Sequence, residues 1–281
     1  MSALAITGVT GYLGSLVSSE LVARGHKVIA LTRRCPQADF TEWRQFDLGK
    51  PLDANVFNGV DGLIHAAWVL SGKDTNELWR QNVVGSRRLI ETAVTAGVGK
   101  VVFVSSMSAY FGTRQAYGLM KLAVERTALD LGGIVVRPGL VYGQTPGGMA
   151  GTLKRISRLP LWPRFRSAKL FLAHEADIAV ATAQTLEAYD ELSGHVLGFA
   201  NATPLDLSSI LAGLSDHGHR RPGLPVPAGL VMAALRVLES TGVQFPFRSD
   251  SLLGLVESAK FLPGQELLAE CGVEFRPLVV P

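Results

Sequence analysis

Cysteine is scarce: Cys35 and Cys271 are the only two in 281 residues, far apart and without metal-ligand spacing. That excludes a disulfide framework and points to a reducing, cytoplasmic setting. Charge is also scarce, at 18% Asp, Glu, Lys and Arg with a net +3 and no long run of one sign, which argues against a dedicated nucleic-acid binder. Long apolar runs are missing. The most apolar late stretch, AGLVMAALRVL at 228–238, is too short to cross a bilayer and carries Arg236, so it reads as a buried helix and no membrane partner is expected. The N-terminus lacks the basic flank and long apolar core of a signal peptide, and no internal repeat is visible.

Hydrophobic residues, at 47%, are plentiful enough to fill the core of one large domain, or of one domain with a smaller partner. The first half alternates short apolar runs with longer amphipathic ones, the pattern of a parallel sheet with helices on both faces. Strands are predicted at 4–7, 27–31, 43–46, 62–65, 101–105 and 134–137, and helices at 12–24, 75–96 and 116–131. This is the α/β, Rossmann-type doubly wound fold, with right-handed crossovers. After Gly143 the texture changes to a loop, GQTPGGMAG, followed by a thickening of prolines. A dinucleotide-binding domain is therefore expected over 1–148, with 173–202 returning to it, and a small, mostly helical substrate-binding part over 149–172 and 203–281.

The stretch ITGVTGYLG spaces Gly8, Gly11 and Gly14 three apart, between the first strand and the first helix. Gly8 would permit a tight turn, Gly11 a close backbone approach to a pyrophosphate at the helix N-terminus, and Gly14 close packing of the helix. With the loop residues Thr10, Tyr12 and Leu13 they suggest a dinucleotide site; a tight turn without a ligand is the bland alternative. Where an acidic residue would bond the ribose of NAD, the second strand ends in LTRRC. Arg33 and Arg34 would accommodate a 2′-phosphate, making NADP the sharper expectation with NAD as the alternative, unless the pair is a solvated basic loop. Asp47 and Leu48, in FDL, read as an adenine-side contact or an ordinary turn.

A second constellation, VSSMSAYFG followed by YGLMK, bears on proton transfer. Tyr117 and Lys121 are four apart on one helix face, and Ser106 lies just past the fifth strand, at the sheet's C-terminal edge. A nearby ammonium favours the phenolate of a tyrosine that is otherwise a poor base. Ser106 would bond a substrate oxygen and Tyr117 would take or give its proton; Ser105 is the fallback for Ser106. A tyrosine and lysine four apart also occur by chance. His65 reads as packed near the cofactor rather than as a proton shuttle. His174, Glu175 and Asp177 lack convincing metal geometry, and no metal is expected. The stretch KRISRLPLWPRFRSAK, with six basic and no acidic residues, reads either as a binder of phosphate or carboxylate, or as a solvated face with Leu161 and Trp162 packed inward.

The motifs TGVTGYLG, DGLIHAA (61–67), NVVGSRRL (82–89), VSSMSAY, YGLMK and RPGLVYG (137–143) together resemble the extended short-chain dehydrogenase/reductase family, the NAD-dependent epimerase/dehydratases. The resemblance is strong over the first half and looser at HEADIA (174–179) and ECGVEFRP. It implies that Ser106, Tyr117 and Lys121 are the catalytic triad and that Lys121 also holds the nicotinamide ribose. It further implies that Ala66 and Ala67 line the cofactor, that Asn82 supports the site, and that Pro138 and Val141 flank the carboxamide. A homodimer through the helices at 75–96 and 116–131 is also what the family resemblance implies.

The chain departs from the family where many members grip a nucleotide sugar: KLFLAHEAD has Lys169 nearby but no arginine in register. A small-molecule substrate, smaller than a nucleotide sugar and of anionic character, is the expectation, with Ser106, Ser108, Tyr142 and Arg166 as candidate contacts. Three readings stay open: an NADP-dependent reductase or dehydrogenase of a carbonyl or secondary alcohol, a nucleotide-sugar epimerase or dehydratase holding NAD, and a non-catalytic dinucleotide-binding protein.

Overall fold

A computed structural model describes residues 1–37, 39–70, 74–144, 147–164, 169–216, 221–240 and 249–280. The chain builds β1 (Ala3–Thr7), α1 (Tyr12–Ala23), β2 (Lys27–Thr32), β3 (Glu42–Gln45), β4 (Gly62–His65), α2 (Thr75–Trp79), α3 (Gly85–Thr95), β5 (Lys100–Val104), α4 (Ala116–Asp130) and β6 (Ile134–Pro138). A turn of π-helix, Arg80–Val84, joins α2 to α3. Then follow β7 (Leu140–Tyr142), α5 (Gly148–Ser157), β8 (Trp162–Arg164), β9 (Leu172–His174), α6 (Glu175–Glu187), α7 (Tyr189–Leu192) and β10 (Val196–Phe199). The last elements are α8 (Leu207–Leu214), β11 (Gly223–Pro225), α9 (Ala228–Ser240), α10 (Ser249–Val256) and α11 (Gln265–Glu270).

Seven parallel strands form one sheet in the order β10-β6-β5-β4-β1-β2-β3. Strand order reverses between β1 and β4, so the loops leaving those two strands open a crevice at the sheet's C-terminal edge. Alternate side chains of each strand serve opposite faces. Leu4, Ile6, Val28, Ala30, Ile64 and Val102 join Val17 and Leu21 of α1 and Ile178 of α6. Ala5, Ile29, Leu31, Leu63, Val101 and Phe103 join Leu89 and Ile90 of α3 and Val124 of α4. Burial on both faces is why these strands read as nearly continuous apolar runs.

The six expected strands and three expected helices of the first half form within one or two residues of their predicted ends. The expected loop at 143–151 is shorter, because α5 starts at Gly148. Strand β10 completes the main sheet beside β6. Within 203–281, Leu268 and Val273 pack into the larger core rather than the smaller one. The smaller core gathers Tyr142, Leu153, Trp162, Leu172, Ile210 and Leu255 around the β7–β9 and β8–β11 pairs.

Two packing expectations fail. The 228–238 stretch is helical but not buried: Leu230 is 68% and Val237 64% exposed. Apolar content promotes burial only where another element supplies a partner face; on α9, Val231 faces Leu153, Leu252 and Leu255 across an apolar cavity. Likewise Trp162 is buried, whereas Leu161 is 51% exposed. No helix among the described residues is long and apolar enough to cross a membrane.

The start of α1 is packed without spare room. A Cβ on Gly14 would sit 2.6 Å from the carbonyl carbon of Gly8. Gly14→Ala is therefore expected to cost about 1–3 kcal/mol by overpacking and to lower Tm by several degrees. Gly99→Ala, whose Cβ would meet nothing nearer than 3.8 Å, is the control expected to leave Tm nearly unchanged in the same thermal melt.

Candidate active site

Gly8 leaves β1 at φ +79°, a left-handed conformation that favours glycine. A Cβ there would press within 2.7 Å of the Ala67 amide nitrogen, so the turn lies directly against the end of β4. The Gly11 amide donates to the Gly8 carbonyl at 2.8 Å and caps α1 through its backbone, with no side-chain cap and no acidic residue in the first turn. Thr10 and Gly11 are exposed. This glycine cradle at an uncapped, positively polarised helix end fits a dinucleotide pyrophosphate. Leu13 packs into the core. Tyr12 turns its hydroxyl to Glu175, whose other oxygen accepts the Gln144 amide at 2.9 Å. Burial and that carboxylate raise the Tyr12 pKa, keeping the phenol a donor.

The opposite wall is set by a buried relay. Thr7 Oγ1 accepts the amides of Ala66 and Ala67, each at 3.1 Å, which leaves its single proton to donate to His65 Nδ1 at 2.7 Å. His65 therefore carries its proton on Nε2 and donates it to Ser86 Oγ, also at 2.7 Å. Desolvation, with Lys121 nearby, lowers the His65 pKa to about 3, so the ring is a neutral strut. Asn82, buried in the π-turn, accepts the Val69 amide and donates to the Val69 carbonyl, both at 2.8 Å, and so fixes the segment after β4. A π-turn redirects a helix face locally, which suits such a positioning role.

At the end of β2, Arg33 and Arg34 are exposed. Thr32 donates to the Arg34 carbonyl at 2.7 Å and accepts Trp43 Nε1 at 2.9 Å, pinning the loop that carries both arginines. Asp47 forms an ordinary turn, its carboxylate accepting the Gly49 amide at 3.0 Å; Leu48 is buried against Gly85 of α3.

Ser106 Oγ accepts the Ser108 amide at 3.1 Å, and the Ser106 hydroxyl is close enough to the Tyr117 phenol to draw its pKa down. Gly118 makes this approach feasible, since a Cβ there would lie 2.9 Å from Thr113 Oγ1. Ser105 points inward to Glu125 at 2.5 Å, and Glu125 takes a bidentate ion pair from Arg137 at 2.6 and 2.8 Å. Lys121 is buried. Its Nζ donates to the Val104 carbonyl at 2.7 Å and sits 3.8 Å from the ring centre of Trp68, a cation–π contact. Trp68 also packs edge-on against Tyr117, with ring centres 5.9 Å apart.

In the protein alone, burial pushes Tyr117 up to about 12 despite the neighbouring Ser106 hydroxyl, and pushes Lys121 down to about 7 despite Glu125. Desolvation disfavours both charged forms in the protein alone. Sequence reasoning missed Trp68, Glu125 and Gly118; Glu125 was in view as the next helical step after Tyr117 and Lys121.

The remaining candidates scatter. The Pro138 carbonyl accepts the Met107 amide at 3.0 Å, tying the Ser106 loop to β6, and Val141 pairs with Ala173. Tyr142 is buried in the smaller core and donates to the Arg276 carbonyl at 3.4 Å, so it is a packing residue there rather than an open contact. Arg166 and residues 217–220 lie outside the described residues. The HEAD residues have separate duties: His174 accepts the Ala176 amide at 3.2 Å, Glu175 bonds Tyr12, and Asp177 pairs with Arg276.

A sequence model described as the NAD dependent epimerase/dehydratase family matches residues 4–159, more than half of the chain. The chain belongs to the NAD-dependent epimerase/dehydratase family. This is the extended short-chain dehydrogenase/reductase group that the motifs resemble, and the chain spans between about a third and 58% of the length of the curated relatives it first matches. It is 30% identical over 188 residues to the ceramide reductase of Caulobacter vibrioides (strain NA1000 / CB15N), covering 63% of this chain and 58% of that enzyme. The crystal structure of gox2253 superposes with TM-score 0.77 at 22% identity, covering 99% of this chain and 94% of that one. MoeE5 in complex with UDP-glucuronic acid and NAD superposes with TM-score 0.67 at 25% identity, covering 80% and 85%.

The buried neutral His65 makes stability pH-dependent. Unfolded, the ring takes up a proton near its ordinary 6.5; folded, not until about 3. Between those values the unfolded state holds more protons. The contribution is thus complete above about pH 6.5 and is lost as pH falls toward 3, with a slope approaching about 1.4 kcal/mol per pH unit. Denaturant midpoints across that range should fall less steeply in His65→Gln; an unchanged slope refutes the assignment.

Proposed function

We propose that this protein is an NADP-dependent oxidoreductase acting on a carbonyl or secondary alcohol, with Ser106, Tyr117 and Lys121 as catalytic residues. The observation that carries the reading is the gathering of Ser106, Lys121 and Trp68 about the Tyr117 ring, with Lys121 Nζ 5.8 Å from the ring centre, on the β5 side of the crevice that the glycine cradle opens. Bound in that crevice, the nicotinamide supplies hydride transfer. The protein's own residues handle the oxygen. Ser106 Oγ donates to the substrate oxygen, and Tyr117 Oη, kept protonated by burial, gives its proton as alkoxide character develops. Lys121 Nζ, held by the Val104 carbonyl and Trp68, stabilises the phenolate left behind, and the nearby Glu125 favours its charged form. Arg33 and Arg34 would grip the 2′-phosphate through charge-assisted hydrogen bonds.

The walls near this site favour a compact or apolar substrate over a nucleotide sugar. A cavity of about 500 Å³ beside the 106–113 loop is lined by Tyr110, Phe171, Pro204, Val256 and Ala259, with Lys169 and Lys260 among its polar lining. The neighbouring Leu170 is taken up in a backbone bridge with Leu205.

Turnover of a carbonyl panel with NADPH and with NADH tests the reading. Replacing Arg33 and Arg34 by Ala should raise the NADPH KM by about 10–100-fold while leaving the NADH KM nearly unchanged. Tyr117→Phe should lower kcat by about 10²–10⁴-fold. Near-stoichiometric NAD released on denaturation would support an internal hydride loan and the epimerase or dehydratase reading instead. Full turnover in Tyr117→Phe would overturn the proton assignment.

A further inference from the structure

The exposed face of α9 belongs to a larger surface. Strands β8 and β11 pair in parallel, Gly223 opposite Trp162 and Leu224 opposite Pro163. The Val226 amide donates to the Arg164 carbonyl at 2.9 Å, and the chain then runs through Pro227 directly into α9. Trp162 anchors this unit from below, buried and donating Nε1 to the Ser157 carbonyl at 3.2 Å. Its neighbours point outward: Leu159 is 48%, Leu161 51% and Leu224 55% exposed. On α9, Leu230, Ala233, Ala234, Val237 and Leu238 follow the i, i+3, i+4, i+7, i+8 pattern of one helix face, and all are exposed.

Charge around these residues has one sign. Over 147–164 and 221–240 the described charged residues are Lys154, Arg155, Arg158, Arg164, Arg221 and Arg236, against Glu239 alone. Glu239 is engaged by Ser249, whose amide and hydroxyl both donate to it at 2.7 Å. Arg158 is partly offset by Asp216 at 3.0 Å. Exposed aliphatic side chains on elements that also carry the exposed Arg155, Arg158, Arg164 and Arg236 match the boundary layer of an anionic bilayer, where acyl chains receive the leucines and headgroups the cations. A protein interface core would instead be enriched in aromatics, and here the one tryptophan of the unit is turned inward.

We propose that the α5 end, the β8–β11 ribbon and α9 together dock this enzyme onto anionic lipid bilayers. The contact is interfacial and reversible. The length of 228–238 rules out a spanning helix and favours a buried one, but a helix lying on a membrane surface has no such length requirement.

Co-sedimentation of the full-length protein with vesicles of phosphatidylcholine, with or without phosphatidylglycerol, tests this. Binding is expected to the phosphatidylglycerol vesicles at low salt, to weaken at high salt, and to be slight on phosphatidylcholine alone. Leu230→Asp with Val237→Asp should reduce the bound fraction about tenfold or more, and Arg155→Glu with Arg164→Glu similarly. Both variants should keep the wild-type Tm, and the Leu230 and Val237 variant should also keep its NADPH oxidation, because α9 carries none of the site residues. No binding to anionic vesicles overturns the proposal. So does binding that survives the Leu230 and Val237 changes, and so does a dimer dissolved by those changes in a protein that ignores vesicles, which would assign the face to self-association.

Discussion

A single buried hydroxyl organises the crevice. Thr7 Oγ1 has one proton and two acceptor directions, and all three are committed: two to the amides of Ala66 and Ala67, one to His65. Because His65 passes its own proton to Ser86, the ends of β1 and β4 and the start of α3 are joined through one polar chain in an apolar interior. Unpaired polar atoms there would be costly, so the chain admits few other arrangements. The glycine turn then closes against the same two amides, with Gly8 nearly touching Ala67. Cradle and opposite wall are thus held in one register before any ligand arrives.

Helix α4 extends the same logic to ionised groups. Along one face it presents Tyr117, Lys121 and Glu125, each with its own contacts: Tyr117 edge-on to Trp68, Lys121 with the Val104 carbonyl and the face of Trp68, and Glu125 with Arg137 and Ser105. Glu125 is buried, and a bidentate arginine and a serine satisfy its oxygens, as a buried charge requires. The pair locks α4 to β6, and therefore sets how far Tyr117 stands from the loop after β5. Burial holds Lys121 near neutrality and the phenol protonated, a poised rather than ionised arrangement.

Much of the fold was legible because its signals are local. Doubly buried parallel strands are written as apolar runs, and Gly8, Gly11 and Gly14 announce the turn that follows the first of them. Tyr117 and Lys121 share a helix face by periodicity alone, and Ser106 was placed by its strand end. Tyr142 could be read as a substrate contact or as filling the cleft wall, and the β7–β9 pair carries it into the smaller core. Asp47 illustrates a residue whose two readings no local pattern separates; its carboxylate turned out to close its own turn.

By itself, then, the sequence determined the order of strands and helices, the glycine turn and the helix face bearing Tyr117 and Lys121, since each depends on spacing within a few residues. Tertiary structure decided the rest. That Trp68 lies over Lys121, that burial rather than a neighbouring charge governs the Tyr117 proton, and that Leu230 and Leu161 are largely exposed all depend on which distant segment arrives opposite. Desolvation and packing are sums over neighbours brought together by the fold, and a linear pattern does not carry them.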